Sequence, residues 1–134
     1  MFTTRSPSPA WRALAAVAWL VVGVIHLLPL VGVLGGERLA QLYGIDASEP
    51  NLALLLRHRA VLFGLLGALC VAAAFRPALR GLALVAGWIS VASFLALAAG
   101  TPLNAQVARV VTADWVALGA LVVATLAWWR QQRI

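Results

Sequence analysis

Four long apolar segments divide the sequence, and short polar or Gly-Pro stretches separate them. The segments cover approximately residues 13–34, 52–75, 78–99 and 105–129. Each holds about 20 residues or more, enough for a helix to cross a hydrocarbon core of about 30 Å. Because backbone polar groups cannot stay unpaired in lipid, helices are the expected spanning form. The pattern predicts an all-α fold, an integral membrane four-helix bundle.

The breaks between the segments are of three kinds. A polar connection runs from Gly35 to Asn51, the pair Arg76-Pro77 forms a tight turn, and Gly100-Thr101-Pro102 separates the last two segments. Proline disfavours helix at the residue before it, which supports the second break. We therefore predict a disordered cytoplasmic arm (residues 1–12), a single transmembrane domain (13–129) and a cytoplasmic tail (130–134).

The composition agrees with a lipid environment. The 134 residues are 63% hydrophobic and 10% charged, too few charges to cover a water-soluble surface. All ten basic residues are arginines, and the net charge is +6. These arginines are scattered at segment ends without a basic face or a known binding motif, which excludes a nucleic acid partner. Membrane lipids are the predicted partners instead.

The arginines also predict an orientation. Six of them fall on one side of the four segments: Arg5, Arg12, Arg76, Arg80, Arg130 and Arg133. By the positive-inside rule that side is cytoplasmic. Trp11, Trp128 and Trp129 lie at the same boundary, as interfacial aromatic residues do. The sequence thus predicts a multi-pass protein of the bacterial inner (cytoplasmic) membrane, with N and C termini cytoplasmic.

Polar groups inside the apolar segments are the candidate site residues. At about 1.5 Å per residue, His26 lies about 12 Å below the outer end of its segment, and Asp114 about 13 Å below the end of its own. Helices from distant parts of the sequence thus place polar groups in one layer of the outer leaflet. The predicted layer contains His26, Arg57, His58, Arg59, Ser90, Ser93, Arg109 and Asp114.

Helical geometry assigns directions to these groups. Arg57 shares a face with Ala60 and Gly64, and small residues at four-residue spacing mark helix-packing faces, so Arg57 is predicted to point into the bundle. A lone Asp in a membrane helix is costly and usually has a partner. We expect Asp114 to pair with Arg57, or with Arg59 or Arg109. The pair would serve either a functional site or only a lock on helix packing.

Few cofactors fit the available side chains. Cys70 is the single cysteine, and no metal-ligand cluster, nucleotide loop or Ser-His-Asp spacing is present. The less favoured alternative is a bis-His haem held by His26 and His58, with an arginine pairing the propionates. No cofactor is firmly implied.

Three stretches carry a resemblance to a known family. They are GVIHLLPLVGVLGGERLAQLYGI from Gly23, NLALLLRHRAVLFGLLG from Asn51, and VTADWVAL in the fourth segment. The chain is similar to an uncharacterised bacterial family of small four-helix membrane proteins, sometimes named phosphopantetheine adenylyltransferase. The soluble enzyme of that name has a phosphate-binding loop and an HxGH motif, and this chain has neither. The layout also resembles DoxX-type membrane proteins. The resemblance implies the membrane fold and no catalytic residue.

The leading hypothesis is a binding or accessory protein that holds a lipid-like or quinone-like ligand, a hydrophobic small molecule, at the polar layer. Arg57 would contact the ligand and Asp114 would orient Arg57. Two alternatives stay open: a membrane redox or transferase enzyme using the same layer, and a purely structural membrane subunit. The sequence does not decide whether the protein is an enzyme, although it favours a non-enzyme. It also leaves a homodimer or a larger membrane complex open.

Overall fold

The structure, a computed structural model, describes residues 7–133 of the chain. Its helices are α1 (Pro9–Leu27), α2 (Gly36–Tyr43), α3 (Pro50–Phe75), α4 (Arg80–Ala98) and α5 (Ala105–Gln132). A 3₁₀ segment, Leu28–Leu34, continues α1, and a short one, Pro77–Leu79, precedes α4. No strand occurs within the described part of the chain. The predicted all-α class is confirmed.

Four of these helical stretches are long and apolar enough to cross a membrane: Pro9–Leu34, Pro50–Phe75, Pro77–Ala98 and Ala105–Gln132. They contain 26, 26, 22 and 28 residues. The helices α1, α3, α4 and α5 run alternately in opposite directions and form a closed ring, in which α1 packs against α3 and α5, and α4 packs against α5 and α3. Consequently α1 faces α4 across the ring, and α3 faces α5.

The first helix begins earlier than the sequence pattern predicts. The side chain of Ser8 caps it by accepting a hydrogen bond from the backbone nitrogen of Trp11, and Pro9 occupies the first turn, where its missing N–H costs nothing. Residues 9–12 of the predicted disordered arm are therefore helical. The first six residues of that arm, and Ile134 of the predicted tail, lie outside the described residues. At the other end, α5 continues to Gln132.

The helices approach closely because small residues lie between them. A Cβ added at Gly67 would lie 2.7 Å from Cγ of Leu27 and 2.9 Å from the backbone oxygen of Gly23, so α1 and α3 touch almost backbone to backbone. Around this seam, the core contains fully buried large side chains, among them Trp19, Val91 and Leu121. Glycine thus sets the interhelical distance and the larger side chains fill the interior.

The short helix α2 lies within the connection that the sequence predicts as a polar loop. Its one apolar face is buried, with Leu39 fully covered and Tyr43 8% exposed. Gly44 ends it with φ of 63°, the left-handed conformation usual after a helix C-terminus. The side-chain nitrogen of Asn104 donates to the carbonyl oxygen of Tyr43 at 2.7 Å. These contacts hold α2 across one end of the four-helix ring.

Candidate functional site

A cavity of about 300 Å³ lies inside this end of the ring, directly beneath α2. All five helices contribute to its wall, most of which is apolar. The lining residues are Ile25, His26, Leu28, Pro29, Gln41, Leu42, Tyr43, Arg59, Phe63, Phe94, Gln106, Arg109, Val110, Ala113 and Asp114. A cavity of this size, with a few convergent polar groups on an apolar wall, has the form of a small-molecule site.

The lining divides into an interior and a rim. His26 and Tyr43 are buried, and Arg59 and Asp114 are half-buried. Leu28, Gln41 and Arg109 line the same cavity but are exposed, so they mark its mouth. The mouth therefore opens between the end of α1, helix α2 and helix α5.

Arg59 is held in the cavity by aromatic side chains. Its Nη1 donates a hydrogen bond to the hydroxyl oxygen of Tyr43 at 3.0 Å. Its Cζ lies 4.6 Å from the ring centroid of Phe63 and 5.3 Å from that of Tyr43, within the range of cation–π attraction. A guanidinium has five N–H donors, and within residues 7–133 this is the one hydrogen bond that the Arg59 side chain makes. Donors thus remain available to a ligand.

Asp114 faces Arg59 from across the ring. It lies on the same face of α5 as Ala117 and Leu121, both fully buried, as the sequence predicts. Arg59 lines the same cavity from α3. Among residues 7–133, however, no arginine nitrogen comes within 4.0 Å of a carboxylate oxygen and no donor bonds to this carboxylate. The predicted contact pair is therefore not formed, and the carboxylate is free to accept hydrogen bonds from a ligand.

His26 forms the buried floor of the cavity. It is 2% exposed, with Nδ1 lying 2.8 Å from the carbonyl oxygen of Val22 and Nε2 lying 3.1 Å from the hydroxyl oxygen of Ser90. The ring of Phe63 packs beside it at a centroid distance of 5.7 Å. Because both ring nitrogens have partners, the orientation of the His26 ring is fixed.

Arg57 does not occupy the position that the sequence predicts. Its side chain is exposed, and its Nε donates to the carbonyl oxygen of Val33 at 2.9 Å. The buried face of α3 does pass through Ala60 and Gly64. Arg57, however, lies where this face ends beside the last turn of the 3₁₀ segment, which leaves carbonyl groups unpaired. The long side chain reaches outward to one of them, so Arg57 caps a helix and Arg59 enters the cavity.

Two further predicted site residues also point away. His58 and Ser93 are exposed and do not line the cavity, and the hydroxyl of Ser93 donates to the backbone oxygen of Ser90 at 3.1 Å. Since His58 is exposed while both nitrogens of His26 are occupied inside the bundle, the two histidines do not form a bis-His site. Of the eight predicted residues, His26, Arg59, Arg109 and Asp114 line the cavity, and Ser90 contacts it through His26.

Several lining residues were not predicted from the sequence, and among them Tyr43, Phe63 and Gln106 bear most on the chemistry. Phe63 follows Arg59 by four residues, the spacing at which helical side chains meet. Leu39 and Tyr43 have the same spacing, which is the signal for an amphipathic α2. Gln106 is a polar side chain in the first turn of α5. These spacings are visible in the sequence, but they indicate a site only once α2 is known to lie over the ring.

A smaller cavity of about 180 Å³ adjoins the first and shares Tyr43, Arg59, Phe94 and Val110 with it. The residues that it adds are apolar: Ile45, Leu56 and Val107. Arg59 and Tyr43 thus form a polar partition between two mostly apolar spaces. Such an arrangement suits a molecule that has both a polar and an apolar part.

The fold and the cavity together define a helical protein with a charged site at one end of a ring of four apolar helices, covered by the short helix α2. Within residues 7–133, no group of three or more His, Cys, Asp or Glu side chains is placed to hold a metal ion. Comparisons with protein-family models, with curated proteins and with solved structures each gave no match.

Proposed function

We propose that this protein is a multi-pass protein of the bacterial inner membrane that binds a lipid-like or quinone-like molecule in the cavity beneath α2. Membrane insertion is supported by the four apolar helices and by the large hydrophobic side chains that they leave exposed, such as Leu54, Leu65 and Leu97 at 65%, 64% and 77%. Exposed apolar surface on this scale needs a partner, and lipid is one.

The orientation follows from charge. Arg76 and Arg80 lie at the turn between α3 and α4, and Arg12, Arg130 and Arg133 lie at the same end of the ring. The positive-inside rule places that end in the cytoplasm. The cavity then lies in the outer leaflet, and α2 lies at the outer surface of the membrane.

The observation that carries the binding function is a pair of charged groups with unused hydrogen-bonding capacity in one apolar cavity. Arg59 retains unused N–H donors, and the Asp114 carboxylate accepts no hydrogen bond within the described part of the chain. Charged groups inside a membrane helix bundle are costly and usually face a partner or a pathway. A bound amphipathic molecule would supply the missing partner, with its polar part between these two groups in the cavity.

Native mass spectrometry of the protein, gently extracted from membranes, tests this function. We expect a defined extra mass that corresponds to a lipid or a quinone. Arg59→Gln should lose that mass, because it removes a guanidinium group from the interior of the cavity. The matched variant Arg57→Gln should keep it, since Arg57 is outside the cavity.

Three outcomes would contradict the proposal. A bare wild-type chain would remove the binding function, and a chain that carries only a larger protein partner would favour the structural-subunit alternative. Equal loss of the bound mass in both arginine variants would show that retention depends on folding and not on a contact at Arg59.

A further inference from the structure

The charges that line the cavity have both signs, and they limit the ligands that can satisfy them all. Arg59 and Arg109 supply N–H donors and positive charge, whereas Asp114 supplies a carboxylate that, when ionised, can only accept. A purely anionic headgroup would satisfy the arginines and leave Asp114 without a donor. A neutral quinone has only carbonyl acceptors, so it would also leave the ionised carboxylate unsatisfied.

We propose that the cavity selects a zwitterionic lipid headgroup that joins a phosphate to a primary ammonium, the phosphoethanolamine class. The phosphate lies between Arg59 and Arg109, and the ammonium donates to Asp114. This inference rests on the proposed function, because it names the class of lipid-like molecule that the same cavity takes.

A quaternary ammonium such as choline fits the cavity less well. It has no N–H group to donate to Asp114, and proteins recognise it mainly by surrounding it with aromatic faces. Phe63 already has the guanidinium of Arg59 over its ring at 4.6 Å, so this face is occupied. The Asp114 carboxylate needs an N–H donor, and the ring of Phe63 is already occupied. Both observations favour a primary ammonium.

The shape of the cavity favours a lipid over a free headgroup. Its mouth includes the side chain of Leu28, which is apolar and 60% exposed on the outer surface of the first span. Arg109 lies at the same rim. A lipid phosphate at this rim keeps its glycerol and acyl chains beside the exposed apolar surface, while the ammonium reaches inward to Asp114.

The experiment measures lipid retention by native mass spectrometry of the full chain in detergent with added lipids that share acyl chains. The series is phosphatidylethanolamine, its N-monomethyl and N,N-dimethyl forms, phosphatidylcholine and phosphatidylglycerol. We expect binding to weaken stepwise as N–H groups are replaced by methyl groups. The total loss from phosphatidylethanolamine to phosphatidylcholine should be about tenfold or more, as for a lost charge-assisted hydrogen bond.

Two variants assign the charges. Asp114→Asn should weaken the binding of phosphatidylethanolamine by about tenfold or more, since it removes the carboxylate that accepts from the ammonium. Binding of phosphatidylglycerol should stay unchanged or become tighter, since the substitution also removes a negative charge. Arg109→Gln should weaken the binding of both lipids. The matched carboxyl variant Asp46→Asn, in the exposed connection after α2, should change neither.

The possible results separate the two proposals. Equal binding of all the lipids in the methylation series to the wild-type chain would overturn the headgroup assignment. This result does not depend on whether Asp114→Asn folds. Lipid binding that depends on Arg59 would then still support the proposed function. Absence of any bound lipid or quinone would overturn both proposals. If free phosphoethanolamine displaced the lipid at similar concentration, the headgroup class would stand and the lipid source would be wrong. Displacement by a quinone at lower concentration would overturn the inference.

Discussion

The hydroxyl oxygen of Ser90 lies 3.1 Å from Nε2 of His26, and this hydrogen bond joins α4 to α1 across the ring. The carbonyl oxygen of Val22 can only accept, so the proton on Nδ1 of His26 donates to it at 2.8 Å. In the neutral ring Nε2 is then an acceptor, and the Ser90 hydroxyl donates to it. The contact fixes the tautomer and the ring orientation of a buried histidine at the floor of the cavity.

Replacing Ser90 with alanine should therefore destabilise the bundle. The change leaves Nε2 of a 2% exposed histidine without its donor, and interhelical hydrogen bonds in membrane proteins contribute about 1 kcal/mol. Thermal unfolding in detergent should show this loss. Ser93→Ala is the matched control, because Ser93 is exposed on the same helix, and it should stay within about 0.5 kcal/mol of wild type. Equal effects of the two substitutions would contradict a special role for Ser90.

The close approach of α1 and α3 gives a second prediction. Gly67→Ala should destabilise the fold by about 1–3 kcal/mol, because the new methyl group would meet the backbone of Gly23 and Leu27 at 2.9 Å. Backbone atoms cannot move aside as a flexible side chain can, so the helices must separate. Unfolding in detergent measures the cost. Gly119→Ala, at a helix position with nothing within 4 Å, should be neutral or stabilising by up to about 1 kcal/mol.

The start of α3 should be sensitive to acid. The carboxylate of Glu49 accepts from the backbone nitrogens of Asn51 at 2.9 Å and Leu52 at 2.7 Å, and these bonds hold the pKa of Glu49 below its ordinary value near 4.5. A pKa depressed in the folded state contributes stability above the unfolded pKa, and this stability is lost as pH falls through the folded pKa. Wild type should thus exceed Glu49→Gln in unfolding temperature at pH 7, and the gap should close below about pH 4.

Glu37→Gln provides the control for that experiment. It removes the same charge from the same connection between α1 and α3, but Glu37 does not cap α3. The difference in unfolding temperature between Glu37→Gln and wild type should not show the pH dependence expected for Glu49→Gln. A gap between wild type and Glu49→Gln that persisted unchanged to pH 3 would show that the stabilisation does not depend on an ionised carboxylate.

The four long helices could be predicted from the sequence because length and hydropathy determine them locally. Asp114 could be placed on an inward face for a similar reason, since Ala117 and Leu121 share that face through helical periodicity alone. The choice between Arg57 and Arg59 could not be made in this way. Both have long side chains near the edge of the packing face, and their directions depend on neighbours from other parts of the chain.

Those neighbours belong to α2 and the 3₁₀ segment. Val33 offers a carbonyl group to Arg57, and Tyr43 offers a hydroxyl and an aromatic face to Arg59. The eight residues of α2 are too few to stand out by hydropathy in a chain dominated by longer apolar segments, so the sequence pattern suggested a loop. The candidate site could be predicted only in part, because α2 completes it.

Membrane orientation can be tested by labelling single introduced cysteines. Ser48→Cys lies in the exposed connection after α2 and should react with a membrane-impermeant maleimide on intact spheroplasts, because arginine-rich ends stay in the cytoplasm and the opposite end faces outward. Gln132→Cys, exposed at the end of α5 beside Arg130 and Arg133, should react only after permeabilisation. The native Cys70 is fully buried, so it contributes little background. The reverse labelling pattern would place the cavity in the cytoplasmic leaflet, and labelling of both positions before permeabilisation would rule out the proposed arrangement.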